Sequence, residues 1–284
     1  MIKLIASDID GTLINSNHEV SDYTKKIVHE ARKQGIQFAL ATGRDHESAS
    51  GIARQLGIEG DDTAIICLNG LRVDNDSRDY HYHAPTMTYE DCELKEAIGN
   101  KYFMGVLYCF EDKIYYHMDD VAFQDYQLGI SEQQFKFFNE SLNAEKITGL
   151  KDIKHLFETG HQILKMVYIQ NGDYTELVKE RIAKEFDSRY NLLIVGDGWA
   201  EIMPRSVNKG DAILNYAASL GIKPEEVMTF GDSDNDLTMI AKAGCGVAMA
   251  NARENLKTIA DAITLSNDEE GVAHYIATHV LHQD

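Results

Sequence analysis

Apolar strand segments alternate with amphipathic helix segments at both ends of the chain, a pattern that few folds accommodate. The first part predicts, in order, strand 2–9, helix 21–34, strand 36–41, helix 45–56 and strand 64–68. After Pro204 the order resumes with helix 208–220, strand 227–230, helix 235–242, strand 245–248 and helix 253–260. Strands joined by helices pair in parallel, so we expect an α/β domain built on a parallel sheet.

The pattern changes between the two alternating regions. This stretch predicts helix 89–100, a hairpin from GVLYCF and KIYYH, the strand ILKMVYI, helix 174–186 and a second hairpin in LLIVGDGWAEIM. Helices combined with antiparallel strands are typical of an α+β domain. We therefore expect a core domain formed by residues 1–83 and 205–284, split by an inserted domain at 84–204.

The chain is strongly acidic, with 46 acidic and 27 basic residues among 284 and a formal charge of -19. A polyanion of this size is repelled by nucleic acids and by acidic membrane surfaces, so we expect neither as a partner. The same negative charge also repels a phosphorylated ligand. A phosphate site in this protein would therefore need local positive charge from a metal ion, a lysine or backbone N–H groups.

The cysteines and the amino terminus indicate a cytoplasmic protein. The four cysteines are widely separated, as is typical of reduced thiols, at Cys67, Cys92, Cys109 and Cys245. The apolar stretch at the amino terminus is interrupted by Asp8 and Asp10, which makes it too short and too acidic for a signal peptide or a membrane span.

Two carboxylates follow the first predicted strand, in the segment Asp8-Ile9-Asp10-Gly11-Thr12. Ligands of open parallel sheets bind at the carboxyl ends of the strands. If strand alternation continues through this segment, Asp8 and Asp10 lie on one side, where one can act as a nucleophile and the other can transfer a proton. An ordinary turn at Asp10-Gly11 is the alternative.

A second acidic segment, Gly231-Asp232-Ser233-Asp234-Asn235-Asp236, follows another apolar strand. Its oxygen-bearing side chains suit a hard cation such as Mg²⁺. An EF-hand calcium loop is excluded, because Leu237 stands where that loop requires glycine. An acidic first turn stabilised by the helix dipole is the alternative, although we expect at least one carboxylate to bind a metal.

Groups suited to phosphate lie at two further points. Thr42-Gly43-Arg44 closes the second strand and offers a hydroxyl, a backbone N–H and a guanidinium. Lys209 stands where the α/β pattern resumes, and its ammonium would supply the positive charge that a phosphate site requires. Taken alone, Thr42 as a helix cap and Lys209 as a solvated lysine are the simpler interpretations.

Together these segments resemble the haloacid dehalogenase superfamily of phosphohydrolases, and specifically its Cof-type branch. The matching motifs are, in order, DIDGT at 8–12, ATGR with Thr42, Lys209, and GDSDND at 231–236. The resemblance implies a Rossmann-like core. The interval between Thr12 and Thr42 is too short for a domain, whereas the interval between Thr42 and Lys209 holds the insert, an arrangement similar to the type-2 cap.

The resemblance also implies a role for each matching residue. Asp8 would be the nucleophile and a Mg²⁺ ligand, and Asp10 the general acid and base, with its backbone carbonyl on the metal. Asp232 would be a second side-chain ligand. Thr42 and Lys209 would hold the transferring phosphoryl group.

Further residues would support these groups. Asn235 would help to bind phosphate, as would Gly43. Arg44 and Asn69 are weaker candidates, and the alternative for Arg44 is an ion pair on the helix face. Asp236 would position the lysine or the metal shell, and Thr12 would have a supporting role. The cap would exclude water and contact the leaving group.

Three interpretations of function follow. The first is a Mg²⁺-dependent phosphatase acting on a small phosphorylated metabolite, such as a sugar phosphate or a phosphorylated cofactor. The second is a phosphomutase using the same phospho-aspartate, and the third is a phospho-ligand sensor without turnover.

The aromatic and histidine run from Tyr80 to His83 could be interpreted as a metal site, but alternating strand residues explain it better. The sequence names neither the substrate nor the oligomeric state.

Overall fold

A computed structural model of the protein describes residues 1–60, 62–84, 86–111, 113–129, 144–196 and 198–283. The chain forms two compact units, one made of Met1–Ala84 and Val207–Asp284 and the other of Pro85–Ser206. Position 112, in the turn of the first predicted hairpin, and position 197, in the second, lie outside the described residues.

The described strands are β1 (Leu4–Ser7), β2 (Gln37–Ala41), β3 (Ala64–Cys67), β4 (Arg72–Asn75), β5 (Tyr80–His83), β6 (Gly105–Cys109), β7 (Ile114–His117), β8 (Ala144–Lys146), β9 (Lys165–Ile169), β10 (Tyr190–Gly196), β11 (Trp199–Pro204), β12 (Val227–Gly231), β13 (Cys245–Ala248) and β14 (Ala262–Ile263).

The described helices are α1 (Asp22–Lys33), α2 (His46–Leu56), α3 (Tyr89–Lys101), α4 (Asp120–Gly129), α5 (Lys154–Glu158), α6 (Gly172–Ala183), α7 (Lys209–Ser219), α8 (Leu237–Lys242), α9 (Glu254–Ile259) and α10 (Gly271–His279). Among the described residues, no helix combines the length and the apolar character that a bilayer crossing requires.

Within the described part of the first unit, eight strands form one sheet with the order β14-β13-β12-β1-β2-β3-β4-β5. Neighbours from β14 to β3 pair in parallel, whereas β4 and β5 add an antiparallel edge. Every residue of β1 is buried, as expected of a central strand covered on both faces. The predicted α/β core with a parallel sheet is confirmed.

Local signals place the first two helices as the sequence predicts. The Ser21 side chain accepts a hydrogen bond from the Thr24 backbone N–H and so caps α1. Helix α2 ends at Gly57, whose φ of 71° is left-handed. Asp45 caps this helix by accepting from the Ser48 N–H, so the interpretation of Thr42 as its cap is wrong.

The second unit contains a sheet with the order β10-β11-β9-β6-β7-β8. Its pairs are antiparallel except for β7 with β8. Helix α3 begins with a capping box between Thr88 and Asp91. One face of the sheet packs around Tyr108 and Tyr168, and the opposite face carries a smaller cluster that includes Val167. The prediction of an α+β insert is confirmed.

The aromatic and histidine run from Tyr80 to His83 forms strand β5, with alternating half-buried and exposed residues. His81 Nδ1 lies 2.9 Å from a carboxylate oxygen of Asp74 on the neighbouring strand. Among the described residues, no histidine or cysteine belongs to a group whose ligand atoms lie close enough to share a metal ion. The strand interpretation of this run is confirmed.

Candidate active site

The topology of the first sheet brings three separate segments to one edge. Asp8 follows β1 directly, Thr42 follows β2 and Asp232 follows β12. These strands are neighbours and run in parallel, so their carboxyl ends lie side by side. The candidate residues from distant parts of the sequence therefore meet at this edge.

The chain leaves β1 at Ser7, and the predicted strand does not continue through Asp10. Residues 9–13 form an irregular turn in which Gly11 has a φ of 73°. The expectation that the strand continues through Asp10 is therefore wrong, so strand alternation does not set the relation between Asp8 and Asp10. The two carboxylates have different partners, Lys209 for Asp8 and Arg44 for Asp10.

The Lys209 ammonium lies between two carboxylates. Its Nζ donates one 2.6 Å hydrogen bond to Asp8 Oδ1 and another of 2.6 Å to Asp236 Oδ1. The side chains of Lys209 and Asp236 are 0% exposed and that of Asp8 is 7% exposed. Buried charges persist only when they are paired and hydrogen-bonded, so the three groups depend on one another.

The start of helix α7 explains how Lys209 comes to be buried. Lys209 is the first residue of α7, and the Asn208 side chain caps this helix by accepting from the Asp211 N–H. At Gly210 an added Cβ would lie 2.5 Å from the Thr238 carbonyl oxygen. Glycine at this position allows α7 to approach the Thr238 backbone closely.

Burial and the neighbouring charges shift the ionisation of these groups. Burial raises the pKa of Asp8 to about 8; Lys209 opposes this shift, and the charges of Asp236 and Asp232 add to it. Burial alone would lower the pKa of Lys209, but the carboxylates of Asp236 and Asp8 reverse that effect and raise it. Burial, followed by the charge of Asp236, raises the pKa of Asp232 to about 6.

Asp232 is linked to the turn after β1. Its Oδ1 accepts a 2.9 Å hydrogen bond from the Thr12 hydroxyl. An added Cβ at Gly11 would lie 2.7 Å from Asp232 Oδ2, and Gly11 also has the left-handed φ that favours glycine. The turn and the Asp232 carboxylate can therefore come together only because residue 11 has no side chain.

Asp236 joins the acidic group through both of its oxygens. Oδ1 accepts from Lys209, while Oδ2 accepts from the backbone N–H groups of Asp232 and Ser233. Asp8, Asp232 and Asp236 each offer a carboxylate oxygen, and these three atoms lie within 4.8 Å of one another. This group could hold a metal ion, and it includes Asp236, which the sequence predicts as a support of the lysine or the metal shell.

The Asp10 carboxylate instead pairs with Arg44 in a two-point ion pair. Arg44 Nε donates to Asp10 Oδ2 at 2.8 Å, and Nη2 donates to Oδ1 at 2.5 Å. The Asp10 side chain is 50% exposed. Of the two predictions for Arg44, phosphate binding and an ion pair, the structure contains the ion pair.

The remaining predicted phosphate-binding residues form a connected set. Thr42 accepts at its hydroxyl from the Arg44 N–H, and its carbonyl accepts from the Asn69 N–H. Asn69 has a left-handed φ of 57°, and its Oδ1 accepts a 3.0 Å hydrogen bond from the Asn235 amide. An added Cβ at Gly43 would lie 3.3 Å from Asn69 Oδ1. Thr42, Gly43, Asn69 and Asn235 are thus brought together.

Sequence reasoning missed Asn251, which lies in the loop after β13. Its Nδ2 donates a 2.7 Å hydrogen bond to the Gly11 carbonyl, and its Oδ1 accepts from the Asn267 N–H. Asn251 therefore supports the turn that carries Asp10. The available signal was its position, since it follows a strand of the same parallel sheet and so lies at the same edge.

Comparisons with known proteins identify the family of this chain. A family model for haloacid dehalogenase-like hydrolases matches residues 5–276. Phosphatase YwpJ of Bacillus subtilis is 31% identical, with 99% of this chain and 100% of that protein covered. From the same organism, 5-amino-6-(5-phospho-D-ribitylamino)uracil phosphatase YwtE is 30% identical, with 97% of each covered. A solved B. subtilis haloacid dehalogenase-like hydrolase is 29% identical with a TM-score of 0.75, covering 98% of this chain and 100% of that one.

The fold and the acidic edge of its sheet define an enzyme of the phosphoric monoester hydrolase class. The chain belongs to the haloacid dehalogenase-like hydrolases, because the family model and these relatives cover nearly its whole length. The resemblance drawn from its motifs is confirmed.

Proposed function

We propose that the chain is a Mg²⁺-dependent phosphatase that transfers the phosphoryl group of a small monoester to Asp8 and then to water. The observation that carries this proposal is the buried group at the sheet edge, in which Lys209 contacts both Asp8 and Asp236 beside Asp232. A nucleophile, a fixed positive charge and oxygen ligands are the components that phosphoryl transfer requires.

The residues at this edge fit a divalent cation. Four carboxylates, those of Asp8, Asp10, Asp232 and Asp236, lie with two cationic side chains, Lys209 and Arg44. The excess of negative charge and the oxygen donors are what a hard cation prefers. When bound by Asp8 and Asp232, Mg²⁺ would neutralise charge on the substrate phosphate and orient it.

In the first step, Asp8 attacks phosphorus. Lys209 bonds to Oδ1, so the attack comes from Oδ2 of the same carboxylate. A bond forms between Oδ2 and phosphorus as the ester P–O bond breaks, and Asp10 gives its proton to the departing oxygen. Lys209 remains fixed by Asp236 during this change and offsets the charge that the phosphoryl oxygens carry.

In the second step, water attacks phosphorus. Asp10 takes a proton from this water, the bond between Asp8 and phosphorus breaks, and inorganic phosphate leaves. Asp8 is then restored as a carboxylate paired with Lys209. The exposed position of the Asp10 side chain supports this role, because it leaves the carboxylate open to both the leaving group and water.

Phosphate oxygens would contact the set formed by Thr42, Gly43, Asn69 and Asn235. The hydroxyl, amide and backbone N–H groups of this set are suited to an oxyanion. The bond between Asn235 and Asn69 holds two of these side chains together, although they come from opposite ends of the chain. Fixed donors of this kind stabilise a transition state without reorganising.

The substrate belongs, in this proposal, to the small phosphorylated metabolites. One relative that covers nearly the whole chain is named for an ester of a ribitylamino compound, which supports this class. The second unit, Pro85–Ser206, has hydrophobic clusters of its own and is inserted between Thr42 and Lys209. We assign the choice of leaving group to this unit.

The proposal is tested by adding p-nitrophenyl phosphate and a panel of natural phosphate esters to the purified chain with Mg²⁺. Release of inorganic phosphate is the expected result. Recovery of an isomerised phosphate ester without free phosphate would identify a phosphomutase instead. Tight binding of esters without any turnover would identify a sensor, and either outcome would overturn the proposal.

A further inference from the structure

We propose that Arg44 is a positioning residue for Asp10 and not a ligand of the substrate phosphate, an inference that rests on the proposed function. The observation behind it is the two-point contact in which Arg44 Nε and Nη2 each donate to a different oxygen of Asp10. A guanidinium fork on a carboxylate fixes the plane of that carboxylate as well as its distance.

Asp10 needs such a partner because of where it lies. Its side chain is half exposed and follows the point at which β1 has ended, so the sheet does not fix its direction. A base that takes a proton from the attacking water must be held in one orientation. Arg44 supplies that orientation to the ionised Asp10 carboxylate, which is the form that acts in the second step.

Arg44 is itself held by its surroundings. Its backbone N–H donates to the Thr42 hydroxyl at 3.1 Å, and its carbonyl accepts from the Leu68 N–H at 2.9 Å. Its Nη1 donates to the Ser48 hydroxyl at 3.4 Å, on the first turn of α2. These contacts connect the orientation of Asp10 to the loop that carries Thr42.

The geometry argues against a direct phosphate contact. A guanidinium binds an oxyanion most strongly through one of its two-donor edges. The Nε and Nη2 edge of Arg44 is engaged by Asp10, and Nη1 on the other edge is directed to Ser48. Lys209 already supplies a buried cation next to Asp8.

The test compares R44Q, R44K, D10N and the double variant R44Q/D10N with the unaltered chain. The matched control is R54Q, because Arg54 lies in α2 and pairs with the exposed Glu47 and Glu59. Three quantities are measured with p-nitrophenyl phosphate and Mg²⁺: kcat, the fraction of chain carrying phosphate after an acid quench, and the inhibition constant of inorganic phosphate. The inhibition constant reports phosphate binding separately from proton transfer.

The expected result is that R44Q lowers kcat by about ten- to a hundredfold and accumulates phosphorylated chain, since a positioned acid or base contributes about 10²–10⁴-fold. The inhibition constant of phosphate should change by less than about threefold. R44K should recover part of kcat, and R54Q should match the unaltered chain. The double variant R44Q/D10N should have the same kcat as D10N.

Weakening of phosphate binding by about tenfold or more in R44Q and R44K, without accumulation of phosphorylated chain, would make Arg44 a phosphate ligand and overturn the proposal. An R44Q effect of the same size in the D10N background would also overturn it, because the two residues would then act independently. If the unaltered chain neither turns over nor becomes phosphorylated, the proposed function fails and this inference with it. If the unaltered chain turns over and becomes phosphorylated, and R44Q does so to the same extent, this inference alone is overturned.

Discussion

Lys209 and Asp8 form a buried ion pair, with Nζ 2.6 Å from Oδ1. Replacing Lys209 with Met would leave the carboxylates of Asp8 and Asp236 buried without their cation. We expect Lys209→Met to lose activity and to lower the free energy of unfolding by about 3–5 kcal/mol, measured by urea denaturation. The control is Lys242→Met, whose pair with Asp211 is exposed and should be worth at most about 1 kcal/mol. Equal losses in the two variants would contradict this account of the site.

Metal binding should depend on pH, because the ligands must be ionised to bind Mg²⁺. Burial raises the pKa of Asp8 to about 8 and that of Asp232 to about 6 in the metal-free protein. Protons therefore compete with Mg²⁺ below these values, and the affinity should rise as pH increases from about 6 to about 8. Calorimetry in two buffers of different ionisation enthalpy would detect proton release. Unchanged affinity across this range, or full activity in excess chelator, would be inconsistent with the proposed metal site.

Gly11 should be needed for the position of Asp232. In Gly11→Ala the new Cβ would lie 2.7 Å from Asp232 Oδ2, in addition to the strain of a left-handed backbone. Gly221→Ala is the matched control, since Gly221 has a similar φ of 69° and nothing within 4 Å of an added Cβ. Both variants should lose about 1 kcal/mol of stability through the backbone, and Gly11→Ala alone should lose Mg²⁺ affinity, by about tenfold or more. Equal affinities for Mg²⁺ in the two variants would argue against this role.

Lys95 in α3 should reduce the stability of the second unit near neutral pH. Its side chain is fully buried beside the rings of Tyr190 and Phe186, and among the described residues its Nζ has no hydrogen-bond partner. Burial lowers the pKa of Lys95 despite the opposing charges of Asp187 and Asp91. The unfolded chain therefore binds this proton more tightly, and the protein gains stability as pH rises between the lowered pKa and the ordinary value of 10.5.

The corresponding variant is Lys95→Met, which keeps the length of the side chain and removes the charge. We expect a higher melting temperature than the unaltered chain near pH 7, and a smaller difference near pH 9.5. Thermal unfolding of the variant and of the unaltered chain near pH 7 and near pH 9.5 measures the difference in melting temperature at each pH. A variant that is less stable at both pH values would mean that the contacts of the ammonium with the two rings outweigh its desolvation.

The sequence predicts most of the site's location, because strands and the residues after them are local features. Asp8, Thr42 and Asp232 each follow an apolar run, and parallel pairing brings the ends of such runs together. An ion pair is one of two options that the sequence leaves open for Arg44, but the sequence does not identify Asp10 as the partner. That pair depends on the irregular turn at residues 9–13, which follows the end of β1 at Ser7.

Other features depend on contacts between residues far apart in sequence. Asn251 donates to the Gly11 carbonyl across most of the length of the chain, and its sequence signal is limited to its position after a predicted strand. Strand β4 and its antiparallel pairing with β3 and β5 are likewise not predicted, since a short strand does not reveal the direction of its neighbour. The contact of Asp236 with Lys209 is expected only from the family resemblance, because the two residues lie 27 positions apart and no local pattern joins them.

Phosphate carried on Asp8 is the species on which the proposed function depends, and Asp10→Asn should trap it. This variant retains the nucleophile but lacks the base for the second step, while p-nitrophenolate leaves with little need of a proton. Mixing it with p-nitrophenyl phosphate and Mg²⁺ should release a burst of nitrophenol equal to the enzyme concentration. Mass analysis after an acid quench should then find one phosphoryl group on the peptide that contains Asp8, and none in Asp8→Asn. Phosphate on another residue, or steady turnover undiminished in Asp10→Asn, would contradict the mechanism.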